Sequence, residues 1–185
     1  MIDKEYKSLS KQKYIIEEFS ISPIRDKDKY TILRWRNEQL YHLRQSKKIS
    51  KKEQEEYFKH KIRPLFNKKF PEQILFSFFK DNLFKGYGGL VHIDWKNKNA
   101  EISFLINTNE EAIYFNTYWS KFLFMIEEVS FKVLGLSKIY IYSYNLRPKL
   151  YEVLFKNKFI EEARLVKHYN YKGKPIDILI HSKFL

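Results

Sequence analysis

A carboxylate set inside an apolar strand is the side chain of this chain best placed to move a proton. Glu101 stands in the string AEISFLI, between Ala100 and Ile102, with Phe104, Leu105 and Ile106 beyond it. Partial burial disfavours a charged carboxylate and makes it a stronger base, toward the range needed to take a proton from an amine. The alternative for the same residue is an exposed edge carboxylate paired with one of the many lysines. His92 lies in the preceding strand-like segment beside Gly88 and Gly89. It reads as a second base or a substrate contact, or as an ordinary hydrogen-bonded strand histidine. A third group gathers near one helix: Arg36, Asn37, His42 and Arg44. Guanidinium groups grip anions through paired hydrogen bonds, so this group could line a pocket for an anionic substrate. Residues 37 and 44 share a helix face if the helix runs that far. Solvated surface is the competing reading for at least half of them.

Several chemistries are absent from the sequence. There is no cysteine, which excludes disulfides, cysteine nucleophiles and thiolate metal sites. The histidines, at 42, 60, 92, 168 and 181, include no i, i+4 pair with a helper carboxylate, so no metal is expected. No Gly-x-x-x-x-Gly-Lys loop and no Gly-x-Ser-x-Gly elbow occurs. No run of about 18 apolar residues is present, so no membrane-spanning helix is expected. Met1 to Gln12 is polar and lysine-rich and does not read as a secretory signal, and a cytoplasmic location is expected. The net charge of +13 points to an anionic partner: nucleic acid, a phosphorylated cofactor, a nucleotide-linked substrate or an acidic carrier protein. The 22 acidic residues are interleaved with the basic ones and long basic tracts are absent, which argues against a nucleic-acid arm.

The elements that must hold these residues follow from periodicity. Residues 1–13 read as a flexible leader and residues 14–185 as one domain, a size that the 185-residue length allows. YIIEEFSISPI, from Tyr14 to Ile24, reads as one strand. Asp26 and Asp28 are placed to cap a helix carrying Tyr30, Ile32, Leu33, Trp35 and Leu40. Ser50-Lys-Lys-Glu53 is a capping box opening a second helix, with Pro64 and Pro71 at its end. Period two then takes over in QILFSFFK, FKGYGGLVHIDW and AEISFLI, an antiparallel meander with turns at Asp81-Asn82 and Lys96–Asn99. The glycines of its middle strand mark a bulge or a close backbone approach. A long helix is expected over 114–134, ended by Gly135. KIYIYSY, a helix opened by Pro148, and two closing strands around 159–170 and 175–182 complete the chain. The order implies an α/β (α+β) fold with one mixed sheet and helices on its faces.

This order resembles that of the GCN5-related N-acetyltransferase (GNAT) superfamily. Gly86-Tyr-Gly-Gly-Leu-Val-His-Ile-Asp with Asn99-Ala-Glu-Ile-Ser-Phe-Leu-Ile looks like the central strands of its ribosomal-protein alanine acetyltransferase branch. Phe131-Lys-Val-Leu-Gly-Leu-Ser-Lys-Ile-Tyr resembles that branch's helix end and next strand. Phe159-Ile-Glu-Glu-Ala-Arg-Leu, Tyr171-Lys-Gly-Lys and Asp177-Ile-Leu-Ile-His-Ser resemble its last two strands. Trp35-Arg36-Asn37 resembles the first-helix motif that faces the acceptor. The likeness runs from about Tyr14 to Ser182.

The resemblance implies a mostly antiparallel sheet of six to seven strands. It implies an enzyme that moves an acetyl (acyl) group from acetyl-CoA to the primary amine of a small acceptor, such as a nucleotide-linked amino sugar or an aminoacyl compound. It places Glu101 as base and Tyr151 as the acid that protonates the leaving thiolate, with Leu154 the alternative register. It places Leu105, Ile106 and Asn145 against the donor, and Arg36, Asn37, His42, Arg44 and His92 toward the acceptor. One departure stands out. The superfamily's diphosphate loop, Q/R-x-x-G-x-G/A, uses glycines to bring backbone N–H groups to the phosphates at a helix N-terminus. Its glycine positions are expected near Thr117 and Trp119, in a string without glycine, where Asn116, Thr117 and Lys121 would have to substitute. An acyl-carrier protein is therefore the alternative donor, and a non-catalytic GNAT-like module the alternative function. A homodimer is left open.

Overall fold

The computed structural model describes residues 4–185. Eight strands form one sheet: β1 (Tyr14–Ile16), β2 (Phe19–Pro23), β3 (Ile74–Lys80), β4 (Leu83–Asp94), β5 (Asn99–Ile106), β6 (Lys138–Tyr144), β7 (Ile160–Tyr171) and β8 (Lys174–Phe184). Their spatial order is β1-β2-β3-β4-β5-β6-β8-β7. All neighbours run antiparallel except β5 and β6, which are parallel. The helices are α1 (Lys29–Glu38), α2 (Lys51–Tyr57), α3 (Arg63–Leu65), α4 (Thr108–Glu127) and α5 (Pro148–Lys156). Two π-helical turns, Phe58–Ile62 and Glu128–Val133, extend α2 and α4.

The period-two segments become strands because their alternate residues serve opposite layers. Phe78 and Phe104 lie against Tyr118 and Phe122 of α4, and the rings of Phe104 and Phe122 stack with centroids 3.9 Å apart. Neighbouring positions face the other way: Ser77 donates to Asp28 Oδ2 at 2.8 Å, ahead of α1. The meander turn at Asp81-Asn82 has positive φ at both residues, the geometry a two-residue hairpin of type I′ requires. Between β3 and β5 the glycines of β4 sit at close backbone approaches. A Cβ on Gly88 would lie 2.1 Å from the Ser103 carbonyl oxygen, and one on Gly89, where φ is +156°, 2.0 Å from that of Ile74. The capping box forms as expected: Ser50 Oγ accepts from the Glu53 amide, and Glu53 accepts from the Ser50 amide at 2.8 Å. That bond draws the Glu53 carboxyl down to about 2.

Five expectations need correction. Residues 14–24 form a hairpin, not one strand, because Glu17 turns the chain at φ +53°; this makes the sheet eight-stranded. The leader is packed from residue 6: Tyr6 and Leu9 are buried, and Tyr6 stacks on Phe66. Its hydroxyl donates to the Leu75 carbonyl at 3.1 Å and accepts from the Leu75 amide at 3.0 Å. Residues 1–3 lie outside the described residues. Asp28 does occupy the N-cap position of α1, but its carboxylate binds Arg25 and Ser77 and leaves the helix amides alone. The first helix ends at Glu38, so residues 37 and 44 share no helix face. The long helix begins at Thr108, six residues before the expected start at 114, because its first turns are polar and only Phe115 onward faces the core.

Candidate active site

The pairing of β5 with β6 is short. It covers Asn99↔Lys138, Ala100↔Ile139 and Glu101↔Tyr140, and then stops. Beyond it β5 runs on to Ile106 and β6 to Tyr144, each without the other as partner. The two strands open a cleft at the C-terminal end of a parallel pair, a place where open sheets hold ligands. A cavity of about 440 Å³ lies there. Glu101, Ser103 and Phe104 of β5, Tyr142 and Tyr144 of β6, and Trp119 of α4 line part of its wall. A second cavity, of about 330 Å³, lies under α1 and α2; Arg36, Tyr57, Gln73, Val91 and Ser103 line both.

At the root of the cleft sits a charged cluster. Glu101 is buried, and each of its carboxylate oxygens is engaged. Arg44 Nη2 donates to Oε1, and His92 Nδ1 lies 2.9 Å from Oε2. The Arg44 guanidinium also covers the ring of Tyr142 at 4.9 Å, so it spans from β5 to β6. The histidine reaches Glu101 through a bulge in β4. Register shifts between Val91 and Asp94, and His92 itself takes φ +50°. A bulge re-aims a side chain, and here the consecutive residues Val91 and His92 both reach the cavity. Positive φ is uncommon outside glycine, though histidine tolerates it better than most residues. The consequence is geometric: the His92 side chain is 64% exposed while that of Glu101 is 6% exposed. The carboxylate engages Nδ1 and leaves Nε2 as the ring nitrogen without a protein partner among the described residues. Glu101, expected as the base, is bonded at both carboxylate oxygens, to Arg44 and to His92.

Arg36 lies deeper. Its Nε donates to Gln45 Oε1 at 3.0 Å and its Nη1 to the Tyr87 hydroxyl at 2.8 Å. Among the described residues it has no carboxylate partner. Asn37 does not line the cavity. It pins the following loop, with Nδ2 donating to the Ile49 carbonyl and Oδ1 accepting from the Ile49 amide and from Gln45. His42 lines the cavity wall, and burial lowers it to about 3, with Arg147 adding to the shift. It is therefore neutral, accepting from Arg147 at Nδ1 and donating to Gln39 at Nε2.

The residues expected at the donor do not assemble there. Asn116 and Thr117 are exposed in the middle of α4, and Lys121 binds Glu17 at the β1–β2 hairpin. Leu105 and Ile106 are buried in β5, and Asn145 is exposed just past β6. Tyr151 is not in the cavity wall. Its hydroxyl donates to the Tyr144 carbonyl at 3.0 Å, its ring stacks on His181, and burial raises its pKa. Leu154, the other register, is in the core. Sequence reasoning passed over Gln45, Ser103, Trp119 and Arg147. Of these only Arg147, beside the helix-opening Pro148, carried a signal.

A family model described as an acetyltransferase (GNAT) domain matches residues 21–180. This chain belongs to the GNAT family. No curated protein sequence matches it. Solved structures share its fold. The spermidine N-acetyltransferase of Vibrio cholerae in complex with CoA and spermine superposes with a TM-score of 0.77 at 20% identity, over 90% of this chain and 95% of that one. The spermidine/spermine N-acetyltransferase of the same organism in complex with manganese ions gives 0.73 at 19% identity, over 90% and 92%. The cleft between β5 and β6, and the mostly antiparallel sheet around it, are this GNAT domain's share of that fold. Acetyl-CoA is the acyl donor that fits the GNAT family, and the fit of its parts differs. The open cleft has room for a slender thioester arm. The first turn of α4, where a GNAT glycine loop would hold the diphosphate, does not fit that group. It has no glycine, and Asn107 already takes the Asn109 amide on its side chain and the Glu110 and Glu111 amides on its carbonyl.

Proposed function

We propose that this GNAT N-acetyltransferase acetylates the primary amine of a small acceptor that also bears an anionic group. His92 takes the amine's proton, and Glu101 positions the imidazole. The observation that carries this reading is the 2.9 Å contact between a buried carboxylate and the inner nitrogen of an exposed imidazole at the root of the cleft. An amine must lose its proton to become a nucleophile, and a carboxylate-held imidazole is a common means of removing it near neutral pH. The thioester donor supplies the electrophilic carbonyl: its carbon bonds to the amine nitrogen, its carbon–sulfur bond breaks, and the sulfur leaves as a thiol with the proton given up by the amine. This chain's residues orient the amine, accept its proton at His92 Nε2 and shield the cleft root from water with Trp119, Phe104 and Leu150.

The acceptor class follows from charge. Three arginines, Arg36, Arg44 and Arg147, line the main cavity with two carboxylates, Glu72 and Glu101. Glu101 is already matched by Arg44. Arg36 has only neutral partners, and a partly buried guanidinium without a counter-charge favours an anion beside it. A polycation such as spermine suits this wall poorly. A carboxylate or phosphate on the acceptor suits it well; nucleotide-linked amino sugars carry phosphate, and aminoacyl compounds carry it when joined to a nucleotide.

A panel of amines with and without an anionic group tests this. Arg36→Met should raise KM for the anionic acceptor by about 10- to 100-fold, the worth of a hydrogen bond to a charged group, with kcat little changed. KM for an uncharged amine should stay as it is. An equal rise for both acceptors would remove Arg36 from recognition, and a wild-type preference for spermidine over every anionic amine would sink the class.

A further inference from the structure

An ion pair links the segments that follow the two diverging strands of the cleft. Glu111, in the first turn of α4, follows β5; Arg147, the residue capping α5, follows β6. Arg147 Nη2 donates to Glu111 Oε1, so the pair bridges the diverging ends of the two strands. The link is built into its surroundings. Arg147 Nη1 lies 3.2 Å from His42 Nδ1, and its guanidinium carbon lies 4.9 Å above the Phe115 ring. The side chains of Arg147 and Glu111 are only 12% and 17% exposed.

The rest of that turn is acidic too, and it is fastened. Glu110 binds Lys85 and, at 2.5 Å, the hydroxyl of Tyr118. Thr108 Oγ1 donates to Glu38 Oε2 at 2.6 Å, and the buried Gln39 donates to Thr108 Oγ1 and to the Ile106 carbonyl. A helix N-terminus attracts anions through free amides and partial positive charge. Here the amides of Asn109, Glu110 and Glu111 have partners, and the carboxylates of Glu38, Glu110 and Glu111 stand around the turn. The single guanidinium at hand is bound to one of them.

We infer that Glu111 occupies, through Arg147, the place a donor diphosphate would take, and that this protein recognises its donor by the pantetheine thioester arm and not by the diphosphate. The inference rests on the thioester-transfer reading above. The same arm exists free on CoA and bound on an acyl-carrier protein, and binding distinguishes the two. It is read by calorimetry without turnover, so failure of the transfer reading, seen in acetylation assays, is a separate result.

The experiment titrates wild type with CoA, with pantetheine and with a pantetheinylated carrier protein. CoA and pantetheine should bind with dissociation constants within about threefold of each other, because extra charge-assisted contacts would separate them by tenfold or more. Tighter binding of the carrier protein than of either would support the inference and name the carrier protein as the source; no gain over pantetheine would support it with CoA as the source. Glu111→Gln removes the competing charge and frees Arg147, so CoA should gain about tenfold over pantetheine. If that variant does not fold, inorganic pyrophosphate against wild type decides, and it should not displace CoA. Wild type binding CoA tenfold or more tightly than pantetheine would overturn the inference. So would displacement by pyrophosphate, an unchanged ratio in a folded Glu111→Gln protein, or no binding by any pantetheine compound.

Discussion

His92→Asn is expected to lower kcat for acetyl transfer by about 10²- to 10⁴-fold, the usual contribution of a positioned proton acceptor. Asparagine is the informative replacement because His92 has φ +50°, and asparagine accepts that conformation more readily than other side chains do. The bulge therefore survives while the basic nitrogen is lost. Binding of the acceptor should be nearly unchanged, since Arg36 anchors the far end of it. Glu101→Gln should cost less than His92→Asn, because an amide oxygen still accepts from Nδ1 while the neighbouring Arg44 loses its charge partner. Steady-state kinetics across pH checks all of this. Turnover in His92→Asn equal to that of wild type would take the histidine out of the mechanism.

The second large effect concerns stability. Phe122→Ala should destabilise the fold by about 3–5 kcal/mol, measured by urea unfolding, as large aromatic truncations in cores do. Phe122 is fully buried, stacked on Phe104 and edge-on to Phe78 with centroids 6.3 Å apart. Removing it leaves a void between α4 and two central strands that neither neighbour can fill without leaving its own contacts. Phe104 also lines the cleft, so the same void loosens one wall of the active site. A loss below 1 kcal/mol would mean that α4 can collapse onto the sheet, contrary to the tight stacking at this point.

Much of the architecture could be read from pattern alone, and the reasons differ by segment. The β3–β5 meander was legible because its strands are short runs rich in aromatic and aliphatic residues and its turns carry Asp, Asn and Lys. Ser50 and Glu53 declared a helix start by chemistry. The β1–β2 turn was not legible: Glu17-Glu18 contains neither glycine nor asparagine, and the left-handed residue is an ordinary glutamate. The start of α4 was hidden because Thr108–Glu111 is polar and the buried stripe begins a turn or two later. That hidden start displaced the search for the donor loop into mid-helix, onto Asn116, Thr117 and Lys121. At the candidate site Glu101 was visible by its apolar setting, but its contact with His92 depends on a bulge no residue type announces. Arg147 meets Glu111 only because two strands part, a tertiary fact.

The tie between Tyr6 and Leu75 bears on where this molecule can be cut. One phenolic hydroxyl both gives and takes a hydrogen bond at the same backbone position of β3, doing there the work of an absent strand residue. The family likeness begins at residue 21, inside β2. A chain trimmed to that likeness would lose β1 and the start of β2, and it would leave the Leu75 amide buried without this acceptor. What is shared with relatives and what is needed to fold are therefore different stretches of this polypeptide, and the difference is at least fifteen residues long, from Tyr6 to Ser20.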